Sequence, residues 1–135
     1  MSKPREKWWG YIKAVIRSYP ELKRRYDELK EQSLSAPLTG MPGAHRVSSP
    51  TEQAALRQLN PTAQRELDAV SGAISATKRM YGGDLRLQII DLVFWRQTHT
   101  LEGAAQKVHV SDRTARRWHT AFIYLVAEKY GLHRR

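Results

Sequence analysis

The chain has 135 residues, with 23 Lys and Arg against 13 Asp and Glu, for a net charge of +10. That length holds one domain, or one domain with an arm, and the absence of cysteine excludes disulfides and thiolate metal sites. The excess of positive charge points to a polyanionic partner, nucleic acid ahead of an anionic membrane surface.

No apolar run approaches the ~20 residues of a membrane span. The opening MSKPREKWWG has basic residues but no apolar core behind them, so no signal peptide is read and a cytoplasmic location is expected. The charge gathers at two poles: residues 1–32 carry nine positive and five negative groups, and residues 111–135 carry six and two.

In chain order, residues 1–32 read as a helical arm. Trp8, Trp9, Ile12, Val15 and Ile16 recur at steps of three and four. Ser18 with Glu21 forms a capping box, and Pro20 suits a first turn, so a second helix is expected from Tyr19 to Gln32. The apolar positions 8, 12, 15, 19, 22, 26 and 29 also keep a heptad rhythm, which a homodimer seam would use. Two short helices with an ordinary buried face are preferred, because a proline interrupts a coiled coil. Trp8 and Trp9 are candidates for a partner contact; core or interface packing is favoured over stacking on exposed bases.

Residues 33–49 hold prolines, glycines and serines without apolar periodicity and read as a linker. A helical domain is expected over residues 50–135. Ser49-Pro50-Thr51-Glu52 opens a short helix to about Leu59, and Asn60-Pro61 opens the next. Leu67, Val70, Ile74, Thr77 and Tyr81 mark its apolar face, Gly82-Gly83 its end, and Asp84 the cap of the helix after it. That helix, LRLQIIDLVFWRQ, is read as central and buried through Leu85, Ile89, Leu92 and Trp95 or Phe94, in preference to a strand. The fold class is therefore all-α.

The segment from Thr100 to Tyr130 carries the functional signal. Thr100 caps a short helix, Ser111 caps a long one, and three or four residues join them, the spacing of a helix-turn-helix. Ala104 and Ala105 allow close approach, Val108 and Val110 plug the turn, and Ala115, Trp118, Phe122 and Leu125 form an inward stripe. His109 takes the turn position that often holds glycine. The outward face keeps Ser111, Arg113, Thr114, Arg116, Arg117 and Thr120, side chains that read guanine edges, thymine methyls and phosphates. Thr100, Lys107 and the His133-Arg134-Arg135 tail, with the basic arm, are candidates for DNA-backbone contacts.

The run TLEGAAQKVHVSDRTARRWHTAFI, preceded by LQIIDLVFW and followed by VAEKYGL, resembles the phage late-gene transcriptional activators of the RinA and ArpU type. The resemblance is strongest over residues 61–132 and weaker over KWWGYIKAVIRSYPELKRRYDEL. It implies a helix-turn-helix like that of sigma-factor region 4, double-stranded promoter or operator DNA as partner, and contact with RNA polymerase during activation of morphogenesis and packaging genes. The alternative is a DNA-packaging factor such as a small terminase subunit, which pairs a helix-turn-helix with an oligomerising helical segment.

No catalytic constellation competes with this reading. His99, His109 and His119 are spaced by ten and suit no usual ligand pair, so no metal is expected. TGMPG and YGGD lack the spacing and lysine of a phosphate-binding loop, and no cofactor is expected. Asp84 and Asp91 alone are a weak basis for a nuclease, and Ser111 and Tyr124 are better explained as a cap and a helix-face residue than as nucleophiles.

Overall fold

Pro20 lies in the middle of a helix. A computed structural model describes residues 6–39 and 59–133, the backbone alone for 32–39, and in it α1 runs unbroken from Trp9 to Thr39. The two expected short helices are therefore one. Ser18 caps nothing; its hydroxyl donates to the Ala14 carbonyl at 3.0 Å within the same helix. Proline has no N–H for the carbonyl four residues back, here that of Ile16. The Trp95 indole N–H donates to that carbonyl instead, at 2.8 Å. Burial explains why the helix continues: Ile12, Val15 and Ile16 before the proline and Leu22 after it are all buried, and a break would take one half off the core.

The heptad-spaced stripe is spent inside the chain. Ile12, Val15 and Ile16 join the main core, with Trp8, Trp9 and Tyr19 against it. Leu22 packs with Leu59, Ala63 and Leu67 in a smaller cluster that Tyr26 and Leu29 border. The N-terminal segment is thus part of the core rather than a detached arm. The expected linker 33–49 begins inside α1, and the Ser49–Glu52 capping box lies outside the described residues.

Four further helices follow among the described residues, with no strand. α2 runs Pro61–Lys78; Asn60 caps it, accepting from the Ala63 N–H at 2.8 Å, and proline opens it as expected. It stops at Lys78, before the glycine pair, which leaves Tyr81 outside the helix and 89 % exposed instead of on its buried face.

α3, Gly83–Ile90, begins after Gly82, whose left-handed φ of 69° stands where Asp84 was expected to cap; Asp84 sits in the first turn and makes no cap bond. Gly83 is required, since a Cβ there would lie 2.4 Å from the Thr77 carbonyl. α3 continues into a π turn, Asp91–Trp95, closed by the Arg96 N–H on the Asp91 carbonyl at 2.7 Å. Gln97 at φ 54° ends it. Phe94 is the buried ring and Trp95 the half-buried one, while Leu85 stays at the surface.

α4, Leu101–Val108, and α5, Asp112–Tyr130, complete the chain. Two clusters share α3 and α5. Ile89, Leu92, Ala104, Ala105, Val108, Ala115 and Trp118 hold α4 in place. Ile90, Phe94, Phe122, Ile123, Val126 and Ala127 meet α1 and α2 in the main core. A polar clamp joins α1, α2 and the end of α5: the Tyr11 hydroxyl donates to Glu66 and lies 3.0 Å from the Tyr130 hydroxyl. Desolvation first, then the hydrogen bonds to Glu66 and Tyr130, holds the Tyr11 proton well above the ordinary phenol range.

The Pro20 account predicts a double-mutant cycle. Trp95→Phe orphans the Ile16 carbonyl and should cost about 1–2 kcal/mol beyond lost packing. In a Pro20→Ala background, the restored N–H at residue 20 serves that carbonyl, and the same change should cost measurably less in urea unfolding. Equal costs in both backgrounds would contradict the account.

Candidate nucleic-acid interface

The segment 100–130 folds locally as its sequence directs. The Thr100 hydroxyl accepts from the Gly103 N–H at 3.0 Å and starts α4. His109 takes the left-handed conformation, φ 65° and ψ 46°, and the Val110 N–H returns to the Ala105 carbonyl at 3.0 Å. That bond closes a Schellman-type turn without glycine. Ser111 then starts α5, its hydroxyl accepting from the Thr114 N–H at 3.0 Å. Ala104 and Ala105 are fully buried where the two helices approach, and Val110 packs on the same cluster.

α5 has a sealed face and an open one. Ala115, Trp118, Phe122, Ile123, Val126 and Ala127 are buried. Leu125, expected to complete the stripe, is half-buried, and Ile123 takes the deeper place. With 3.6 residues per turn, Arg113, Arg117 and Thr120 share the opposite face, and all three are exposed. Arg113 and Arg117 make no ion pair among the described residues. Asp112, the acid of the first turn, favours the helix N-terminal pole.

The other expected residues are placed differently from one another. Arg116 is turned toward α4 and pairs with Glu102 at 3.4 Å; both side chains are almost two-thirds exposed, at 63 % and 64 %. An ion pair that exposed contributes under about 1 kcal/mol, so it yields readily to a phosphate. Ser111 and Thr114 are engaged with each other: the Ser111 hydroxyl also donates to Thr114 Oγ1 at 3.0 Å, and Thr114 is half-buried. Thr100, which caps α4, and Lys107 within it are exposed. Arg134 and Arg135 lie outside the described residues.

Trp8 and Trp9 are half-buried against the far end of α5, their rings 5.3 and 5.7 Å from that of Tyr124, with His133 5.8 Å from Trp8. On α1, Lys23 pairs with Asp27, and Arg24 with Glu21 and Glu28. Those cations are already answered by carboxylates, which separates them from Arg113 and Arg117.

One contributor escaped the sequence reading. The Arg86 guanidinium of α3 stacks over the Trp118 ring at 5.2 Å, and its Nε donates to the Tyr81 carbonyl at 3.0 Å. No local spacing signals a contact between residues so far apart in the chain.

Among the described residues, no three of the His, Cys, Asp or Glu side chains converge as a metal site, and no helix is long and apolar enough to cross a membrane. The His119 ring stacks on Phe94 at 5.2 Å. Comparison with protein-family profiles, curated proteins and solved structures finds no match to this chain.

Two substitutions test the turn. Ser111→Ala removes the α5 cap and should lower unfolding stability by about 1 kcal/mol. His109→Gly relieves a left-handed conformation at an exposed site and should raise stability by roughly 0.5–1 kcal/mol, whereas His109→Val should lower it. Thermal melts of the three variants decide; a glycine variant less stable than wild type would contradict the assigned backbone.

Proposed function

We propose that this chain is a sequence-specific double-stranded DNA-binding protein of transcription, acting in the cytoplasm through a helix-turn-helix made of α4 and α5. The observation that carries the reading is the open face of α5: Arg113 and Arg117, exposed and without acidic partners among the described residues, stand beside Thr120 in the first turns of a helix whose opposite face is locked into two core clusters. A helix so held enters the major groove as a fixed reader. Arginine donates two parallel hydrogen bonds to guanine O6 and N7, and threonine contacts a thymine methyl or a phosphate. Arg116, released from Glu102, adds a phosphate contact, and Thr100 and Lys107 serve the backbone. The net charge of +10 supplies the long-range attraction.

Within that class, the resemblance of residues 61–132 to RinA- and ArpU-type activators supports a regulator of phage or prophage late genes that works with RNA polymerase. Ile12, Val15 and Leu22 of the α1 stripe are buried in the chain's own core, so a homodimer along α1 would have only the half-buried Trp8, Tyr19, Tyr26 and Leu29 to offer.

The test is a fluorescence-anisotropy titration at two salt concentrations, with the duplex upstream of the neighbouring operon beside a scrambled duplex. Wild type should prefer the first, with log affinity falling against log salt by about 0.9 per phosphate neutralised. Arg113→Ala and Arg117→Ala should each lose about 1–3 kcal/mol on the specific duplex and little on the scrambled one. Equal binding of both duplexes by all three proteins would refute sequence-specific reading.

A further inference from the structure

The turn between α2 and α3 is held by several bonds and yet offers its side chains to solvent. The Met80 N–H donates to the Thr77 carbonyl and the Gly83 N–H to the Met80 carbonyl, both at 3.0 Å. Arg86 Nε holds the Tyr81 carbonyl at 3.0 Å, and Gly82 is left-handed. On this fixed tip, Tyr81 is 89 % exposed, the most exposed large hydrophobic residue among those described. A phenol that packs on so little does not hold the fold together. Lys78 and Arg79 beside it are exposed and make no ion pair among the described residues. The acid of the segment, Asp84, sits in the first turn of α3, where the helix pole favours it.

The turn stands beside α5, not behind it. A Cβ on Gly82 would lie 3.2 Å from the Trp118 ring, and Arg86 stacks on that ring at 5.2 Å. Met80 and Arg86 line one groove of about 310 Å³ together with Ala121, Leu125 and Glu128 of α5. Ala121 follows Arg117 by four residues, one helical turn along the same flank. A helix seated in a major groove about 12 Å wide has a wall of phosphates on either side. A basic turn alongside the helix meets one of those walls.

The geometry points to the turn from Lys78 to Gly82 as a second DNA contact, made to the phosphate backbone: Lys78 and Arg79 neutralise phosphates, and the Tyr81 hydroxyl donates to a phosphate oxygen. The contact carries no sequence information; it braces α5 through Arg86 and Trp118 and sets how the helix lies in the groove. This inference rests on the DNA-binding reading of α5.

The test uses the full chain, a random-sequence duplex, and the variants Arg79→Gln, Lys78→Gln and Tyr81→Phe. Arg96→Gln, at the far end of the α3 segment, serves as a control, and melting curves check the fold of each. Arg79→Gln and Lys78→Gln should each reduce the magnitude of the log–log salt slope by about one. Tyr81→Phe should weaken binding about tenfold with the slope unchanged, as the loss of one hydrogen bond to a charged acceptor does, and Arg96→Gln should change neither quantity. If the three turn variants keep wild-type affinity and slope while Arg113→Ala binds the duplex upstream of the neighbouring operon more weakly, the turn is no contact and the reading of α5 stands. If wild type binds no duplex at all, the reading of α5 falls and takes this inference with it.

Discussion

One helix has to satisfy two cores and still leave a face to solvent, and the rest of the structure follows from how α5 does this. Its first half gives Ala115 and Trp118 to the cluster that holds α4, and its second half gives Phe122, Ile123, Val126 and Ala127 to the main core with α1 and α2. Burying a large side chain contributes about 1.5–3 kcal/mol, so the stripe fixes the rotation of α5 by several such increments acting together. α3 runs beside it in the same way, with Ile89 and Leu92 in one cluster and Ile90 and Phe94 in the other. Once the rotation of α5 is fixed, Arg113 and Arg117 have to face outward.

That constraint gives the charge of the chain a location. On α1, Lys23 and Arg24 answer carboxylates one turn away. Arg113 and Arg117 of α5 and Lys78 and Arg79 before α3 are not so answered among the described residues. The difference matters more than the net charge, because a fixed cation without a partner is the kind that exchanges counterions for phosphates. Arg116 lies between the two cases, bound to Glu102 by a pair too exposed to hold it strongly.

The local chemistry was legible in the sequence at three of the expected caps and at the turn between α4 and α5, though not at Ser18 or Asp84. Asn60, Thr100 and Ser111 cap where expected, and His109 adopts the left-handed turn that the glycine-less motif demanded. What was not legible depended on distant partners. Pro20 reads as a break because nothing near it reveals that Trp95, far along the chain, will take the Ile16 carbonyl. Asp84 reads as a cap, but the tight approach of Gly83 to the Thr77 carbonyl makes Gly82 the boundary. The stripe of α1 allows a dimer seam but reads better as a buried face, and it is the packed core that takes up Ile12, Val15 and Leu22. At the candidate interface, the outward arginines followed from helical periodicity, whereas the stacking of Arg86 on Trp118 did not.

The central claim is that the outward face in the first turns of α5 is the surface that meets duplex DNA. An amide NMR titration of the full chain with a duplex tests it most directly, since it reports on each residue without altering any. The account predicts saturable shifts concentrated from Ser111 to Thr120 and in the turn from Lys78 to Gly82, with the buried stretch of α2 around Val70 and Ala73 unmoved. Saturable shifts confined to α1, or none in α5 at a concentration where DNA is bound, would contradict it.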